Sequence, residues 1–147
     1  MSKERIFELV RNEELLLFVG AGMSRYAGYP SGAELAEILH ENLPSDLREH
    51  IVLTWDLSEI ADNIYQVKGQ SRNYLLDTIK KQFNKIPNSL ETHRLLAKIP
   101  HFKTIITTNY DDLIERTNNH IDIVRKNSDY SYTTSKKQIL FKIHWMY

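Results

Sequence analysis

Apolar positions recur at two different spacings along the chain, and the change of spacing marks the elements. Ile6, Phe7 and Val10 sit at helical spacing within residues 3–13, after which Leu15, Leu16, Leu17, Phe18 and Val19 form an unbroken run of strand length. The first pattern predicts a helix; the second predicts a strand buried on both faces, because such a run leaves neither face to water. The run stops at Gly20-Ala21-Gly22-Met23-Ser24. After Gly28-Tyr29-Pro30 a helix is expected from Ser31 to about Glu41, with Ser31 and Glu34 spaced as a capping box. Asp56 and Glu59 repeat that spacing ahead of Ile60, Ala61, Ile64 and Tyr65, and Tyr74, Leu75, Leu76, Ile79 and Phe83 mark a further helical face. Another helix is expected from about Asn88, with Leu90, Leu95 and Leu96 apolar, ending near Pro100.

Residues 104–108 read Thr-Ile-Ile-Thr-Thr, β-branched at every position, and this is the strongest strand signal in the chain. A short helix over 110–116, a strand over 121–124, a polar loop over 127–137 and a last strand over 138–143 follow. Strands separated by helices predict an α/β fold, a Rossmann-like three-layer parallel sheet, with a helical insertion between the first strand and the Thr104 strand. No repeat, low-complexity tract or Pro/Gly-rich linker divides the sequence, so residues 1–147 are expected to form one domain.

Composition narrows the classes of function. Apolar residues make up 41% and charged residues 26%, which suits a folded chain and not a disordered or membrane-embedded one. Nineteen basic side chains balance nineteen acidic ones, so no net field draws nucleic acid or an anionic membrane, and neither is expected as a partner. The absence of cysteine removes disulfides, thiolate nucleophiles and Cys-ligated metal. No His/Asp/Glu set has metal-ligand spacing, so no metal is expected. The start Met-Ser-Lys-Glu-Arg lacks an apolar signal core, and a cytoplasmic location is expected.

Gly20-Ala21-Gly22 directly after a strand is an arrangement in which backbone can approach a pyrophosphate, whose charge meets N–H groups at a helix start. The third position of the G-x-G-x-x-G pattern is Arg25, and no P-loop is present. Two readings stand for these residues alone: a phosphate cradle, or a turn that needs glycine for a positive φ and binds nothing. Arg25 can reach a phosphate or pair with an acidic neighbour.

The string Phe18-Val19-Gly20-Ala21-Gly22-Met23-Ser24 with Gly28-Tyr29-Pro30, then Thr107-Thr108-Asn109-Tyr110-Asp111, then Lys142-Ile143-His144, occur in one order. Together they resemble the signatures of the sirtuin family. The Gly-Tyr-Pro-Ser spacing, the Thr-Thr-Asn-Tyr-Asp form and the lack of zinc-binding cysteines are similar to bacterial sirtuin-like NAD hydrolases of anti-phage defence. The resemblance runs from about Leu16 to His144. It implies NAD as substrate, hydrolysed to nicotinamide and an ADP-ribose product, with Gly20, Ala21, Gly22 and Ser24 holding the pyrophosphate. It further implies Asn109 orienting the nicotinamide ribose and the attacking water, Asp111 contacting the ribose or carboxamide, and His144 as general base. A second reading of Asn109 and Asp111 is that they cap the helix beginning at Tyr110. The resemblance covers only the front of a complete family domain, so the sheet is expected to be incomplete at its C-terminal side.

Trp145 stands where the family has glycine. The alternative function is therefore a catalytically inactive, truncated module for binding, regulation or oligomerisation, meeting a second copy or a protein partner through an exposed sheet edge or the helical insertion. His40, His50, His93, His101 and His120 lie outside any motif and read as solvated or capping side chains. Tyr26, Tyr29, Trp55, Tyr65, Tyr74, Phe83 and Phe102 read mostly as core, and Lys80-Lys81 and Lys136-Lys137 as solvated charge.

Overall fold

A computed structural model describes residues 2–69, 71–134 and 137–143. The chain gathers into two compact units: Met1–Tyr26 with Ser89–Tyr147, and the intervening Ala27–Asn88. The second unit is the helical insertion that the sequence predicts.

The first unit opens with helix α1 (Lys3–Arg11), capped by the Ser2 side chain accepting from the Arg5 N–H, and continues into strand β1 (Leu17–Val19). A 3₁₀ helix, Ala21–Ala27, follows the glycine turn directly. After the insertion the unit resumes with helix α6 (Glu91–Ala97), strand β2 (Thr104–Thr107), helix α7 (Leu113–Thr117) and strand β3 (Ile121–Val124), ending in strand β4 (Gln138–Lys142). The four strands pair in parallel in the order β1-β2-β4-β3. This is an α/β, Rossmann-like arrangement. Val19, Ile105, Ile114, Ile121, Leu140 and Leu96 form the core of the unit, with Leu17, Met23, Phe102 and Ile123 packed against it.

Several sequence expectations change here. The apolar run that begins at Leu15 yields only a three-residue strand, and it lies at the edge of the sheet, not in its middle. Leu16 and Phe18 are each 59% exposed, so the run is not buried on both faces. The helix expected over 110–116 starts only at Leu113, because residues 110–112 make a turn in which Asp111 is buried. The polar stretch over 127–137 contains a 3₁₀ helix, Asn127–Tyr132.

The insertion holds helices α2 (Gly32–Glu41), α3 (Ser45–Arg48), α4 (Leu57–Val67) and α5 (Asn73–Phe83). The capping box at Ser31 and Glu34 forms as read: the Ser31 hydroxyl accepts from the Glu34 N–H at 3.3 Å, and the Glu34 carboxylate from the Ser31 N–H at 2.7 Å. Asp56 likewise caps α4, accepting from the N–H groups of Ser58 and Glu59. Leu35, Ala36, Leu39, Leu43, Ile51, Ile60 and Ile64 make a separate core, joined by Tyr74, Leu75, Ile79 and Phe83. Tyr29 is buried and meets Phe83 edge-on, its hydroxyl donating to the Lys85 carbonyl. Tyr26 and Trp55, read as core, are 76% and 67% exposed. The two ends of the insertion meet where the Asn88 N–H donates to the Ala27 carbonyl. Gly28 adopts φ +83° beside them, and an added Cβ would lie 2.5 Å from the Asn88 amide, so both conformation and space require glycine there.

Candidate active site at the carboxyl ends of the strands

The strand order brings the three sequence strings side by side. Val19 is in register with Thr107 and Thr107 with Lys142, so β1, β2 and β4 end level and the residues after them emerge at one edge of the sheet. Open parallel sheets place ligands at this edge. β3, which precedes β4 in sequence, is displaced to the far side and leaves the three ends adjacent.

A buried polar chain links the first two strings. The Thr107 hydroxyl donates to the Val19 carbonyl at 2.9 Å and accepts from the Asn109 N–H at 3.0 Å, which ties the backbone leaving β2 to the end of β1. Asn109, Asp111 and Ser24 are each at most 5% exposed. The Asp111 carboxylate accepts from the Leu113 N–H at 3.1 Å through one oxygen and from the Ser24 hydroxyl at 2.6 Å through the other. Having given its proton to Asp111, the Ser24 oxygen can only accept, and it takes one from Asn109 Nδ2 at 3.1 Å. The direction of the bonds from Ser24 to Asp111 and from Asn109 to Ser24 is therefore set by the carboxylate, which cannot donate. The result at the far end of the chain is fixed: Asn109 Oδ1 is left buried without a partner. A buried carbonyl oxygen left unpaired costs about 1–3 kcal/mol, so it marks a position that another group completes.

Asp111 thus supports the turn into α7, as the capping reading has it, and also holds Ser24. Asn109 caps nothing. Asp111 is itself anchored by Lys142, a side chain with no assigned role in the sequence reading. Lys142 is 2% exposed, donates to the Asp111 carbonyl, and pairs with Glu115 of α7 at 2.8 Å. Glu115 is shared with Arg125 at 3.4 Å. The signal was present in the alternation of Gln138, Leu140 and Lys142, which share the buried face of β4.

Gly20 and Gly22 are not glycines for the sake of a positive φ, which among the described glycines only Gly28 and Gly69 adopt. An added Cβ at either would meet nothing within 4 Å. The reading of this turn as a purely conformational one loses its basis, since glycine in a helical segment without such a need is about 0.5–1 kcal/mol worse than alanine. A cavity of about 440 Å³ opens here, lined by Leu17, Phe18, Val19, Gly20, Gly22, Met23 and Leu96. Ala21 begins the 3₁₀ helix beside it. His144 and Trp145 lie outside the described residues.

His93, read as solvated or capping, is buried at 1% exposure on α6, and neither ring nitrogen has a hydrogen-bond partner. Burial pushes its imidazole below the usual histidine value, while the neighbouring Asp111 acts the other way. Among the described residues no group of three metal-ligating side chains occurs, and no helix is long and apolar enough to cross a membrane.

No family model matches the chain. Among curated proteins it is similar to Defense-associated sirtuin 2 of Bacillus subtilis, 30% identical over 147 residues that cover 96% of this chain and 14% of the relative. It is equally similar to two proteins named NAD(+) hydrolase ThsA. That of Bacillus cereus (strain MSX-D12) is 30% identical over 92% of this chain and 28% of the relative. That of Enterococcus faecium is 30% identical over 96% and 30%. The chain therefore spans less than a third of the length of these relatives.

Proposed function

From a chain that matches sirtuin-like defence proteins over nearly its whole length, we propose that it contributes to an NAD site and to cleavage of the nicotinamide–ribose bond, in anti-phage defence. The observation that carries this reading is Asn109 Oδ1: a buried acceptor without a partner, at the carboxyl end of a central strand, held in that sense by Ser24 and Asp111. Cleavage breaks the bond between the nicotinamide nitrogen and the ribose anomeric carbon, and water supplies the new C–O bond. Nicotinamide departs with the bonding electron pair, and the water loses one proton.

In this reading each residue has a physical task. Asn109 Oδ1 accepts from the attacking water or a ribose hydroxyl, since its Nδ2 already serves Ser24. His144 takes the proton, as an imidazole near neutrality can. The backbone of Gly20, Ala21 and Gly22 approaches the pyrophosphate where no Cβ stands, with N–H groups at the head of the 3₁₀ helix as donors. Ser24 and Asp111 keep Asn109 in position, and Asp111 lies within the same buried group for the ribose or carboxamide. The apolar walls of the adjoining cavity suit the face of an aromatic ring of the dinucleotide.

A second reading, a catalytically inactive module that meets a partner or a second copy, is favoured by the exposed edge strand β1 with Phe18 open to solvent. Calorimetry with NAD and assay of nicotinamide release by the purified chain separate the two. Binding with release supports the enzyme; binding without release, or neither, supports the module.

A further inference from the structure

The turn at residues 110–112 leaves β2, whose neighbours in the sheet are β1 and β4, and it is tied to the chain on both sides. From the segment that follows β1, the Ser24 hydroxyl donates to the Asp111 carboxylate at 2.6 Å. From β4, the Lys142 ammonium donates to the Asp111 carbonyl. The bond from the Leu113 N–H to the other carboxylate oxygen lies within the turn and fastens it to neither neighbour. Asp111 is thus clasped by its side chain from one strand end and by its backbone from another. The Ser24 tie belongs to the polar chain that orients Asn109; the Lys142 tie has no task in the chemistry proposed above.

A lysine is costly at this position. It is 2% exposed, on the face of β4 that it shares with Gln138 and Leu140, and Leu140 belongs to the apolar core of the unit. Desolvation of a buried cation offsets much of what its ion pair gains, so the pair with Glu115 at 2.8 Å does not by itself explain why no apolar side chain stands here. What an apolar side chain lacks is a donor for the Asp111 carbonyl. Glu115, on α7, orients the ammonium toward that carbonyl and is itself held at 3.4 Å by Arg125, just past β3.

We propose that Lys142 is a positioning residue for Asn109: with Glu115 it fixes the backbone of the Asp111 turn from the β4 side, and so keeps the Asp111 carboxylate where Ser24, and through Ser24 Asn109 Nδ2, are bonded. Without the ammonium the turn is held from one side only, and Asp111, Ser24 and Asn109 can shift together. Asn109 Oδ1 then loses its fixed place. The Lys142 bonds run to Asp111 and Glu115 and not to the glycine turn, so the pyrophosphate cradle keeps its own geometry. The bearing on NAD cleavage rests on the reading of Asn109 Oδ1 given above; the placement of Asn109 does not, and is measured without NAD.

The test compares Lys142→Met with Leu140→Val, a substitution on the same face of the same strand at a residue outside the polar chain, in the isotopically labelled full chain. NMR reads the Asn109 side-chain amide, and calorimetry with NAD and nicotinamide release read the site. The expected result is that Lys142→Met shifts or broadens the Asn109 amide resonances and Leu140→Val leaves them as in the parent. Where the parent releases nicotinamide, Lys142→Met should lower kcat by about 10–100-fold, the scale of a displaced reacting group, with KM and NAD binding little changed. An Asn109 amide that stays still in Lys142→Met overturns the proposal, as does one that moves equally in Leu140→Val, or a loss of activity carried by KM with kcat unchanged. A parent chain that neither binds NAD nor releases nicotinamide defeats the reading of the function, and the amide comparison then decides on Lys142 alone. If Lys142→Met does not fold, Lys142→Gln, shorter and uncharged, takes its place under the same criteria. If neither folds while Leu140→Val does, the lysine supports the whole unit and not this turn, and the proposal falls.

Discussion

Asp111→Asn changes the hydrogen-bonding sense of one atom and almost no volume, so it tests whether the carboxylate really sets the direction of the polar chain. The Leu113 N–H still needs an acceptor, and the new amide oxygen takes that place. Its NH₂ then faces Ser24, where the carboxylate oxygen now accepts at 2.6 Å. Ser24 must accept from it and can donate only to Asn109, which has to present Oδ1 where it now presents Nδ2. The unpartnered atom at the site changes from an acceptor to a donor. Two charge-assisted bonds become neutral ones, a loss of about 1–3 kcal/mol in all. For a chain of this size that corresponds to a fall in Tm of roughly 3–10 °C. If Asn109 stands at the reacting atoms as proposed, nicotinamide release should fall by about 10²–10³-fold, far more than such a modest destabilisation would cause. Thermal melts, the side-chain amide signals of Asn109 and nicotinamide release are the measurements. The His93 ring should also titrate lower, since the field that raises it is gone. A melt lowered as expected with the Asn109 amide signals unchanged would refute the reasoning, because the chain of donors would then be set by something other than Asp111.

Three further outcomes are expected. Gly22→Val should leave the melt within about 1 kcal/mol of the parent, because its Cβ meets nothing and its φ is not positive, while NAD binding by calorimetry is lost; an unaltered Kd would remove the cradle. Asn109→Ala and His144→Ala should each lower nicotinamide release by about 10²–10⁴-fold, and their double mutant by less than the product; wild-type turnover in either single variant removes that residue from the site. Lys142→Met strips a buried pair of its cation and frees the Asp111 carbonyl, so denaturant unfolding should show a loss of about 3–5 kcal/mol; a loss below about 1 kcal/mol would mean that the ion pair with Glu115 is not buried in solution.

Much of this protein is written locally. Ser31 and Glu34 specify the start of α2, and Asp56 that of α4, because a cap needs only a side chain and a backbone three residues apart. The strand over Ile121–Val124 and the β-branched strand at Thr104 follow from alternation and propensity, which act within a few residues. Candidate site residues could likewise be named, since Gly20, Asn109 and Asp111 fall in short strings. What pairs with what could not be read this way. That Leu15 to Val19 furnishes an edge strand with Phe18 exposed depends on the order β1-β2-β4-β3, and an apolar run looks the same at an edge as in the centre. The bond from Ser24 to Asp111 spans 87 residues, and no local pattern encodes it. His93 and Lys142 are polar residues whose burial is decided by the neighbours that fold over them, His93 by the packing of α6 on α7 and Lys142 by the carbonyl and carboxylate that receive its ammonium. Spacing along the chain determined which groups could be named for the candidate site; only the tertiary structure decided which of their atoms remain free, because a hydrogen bond is directional and its direction here is handed on from Asp111 through Ser24 to Asn109.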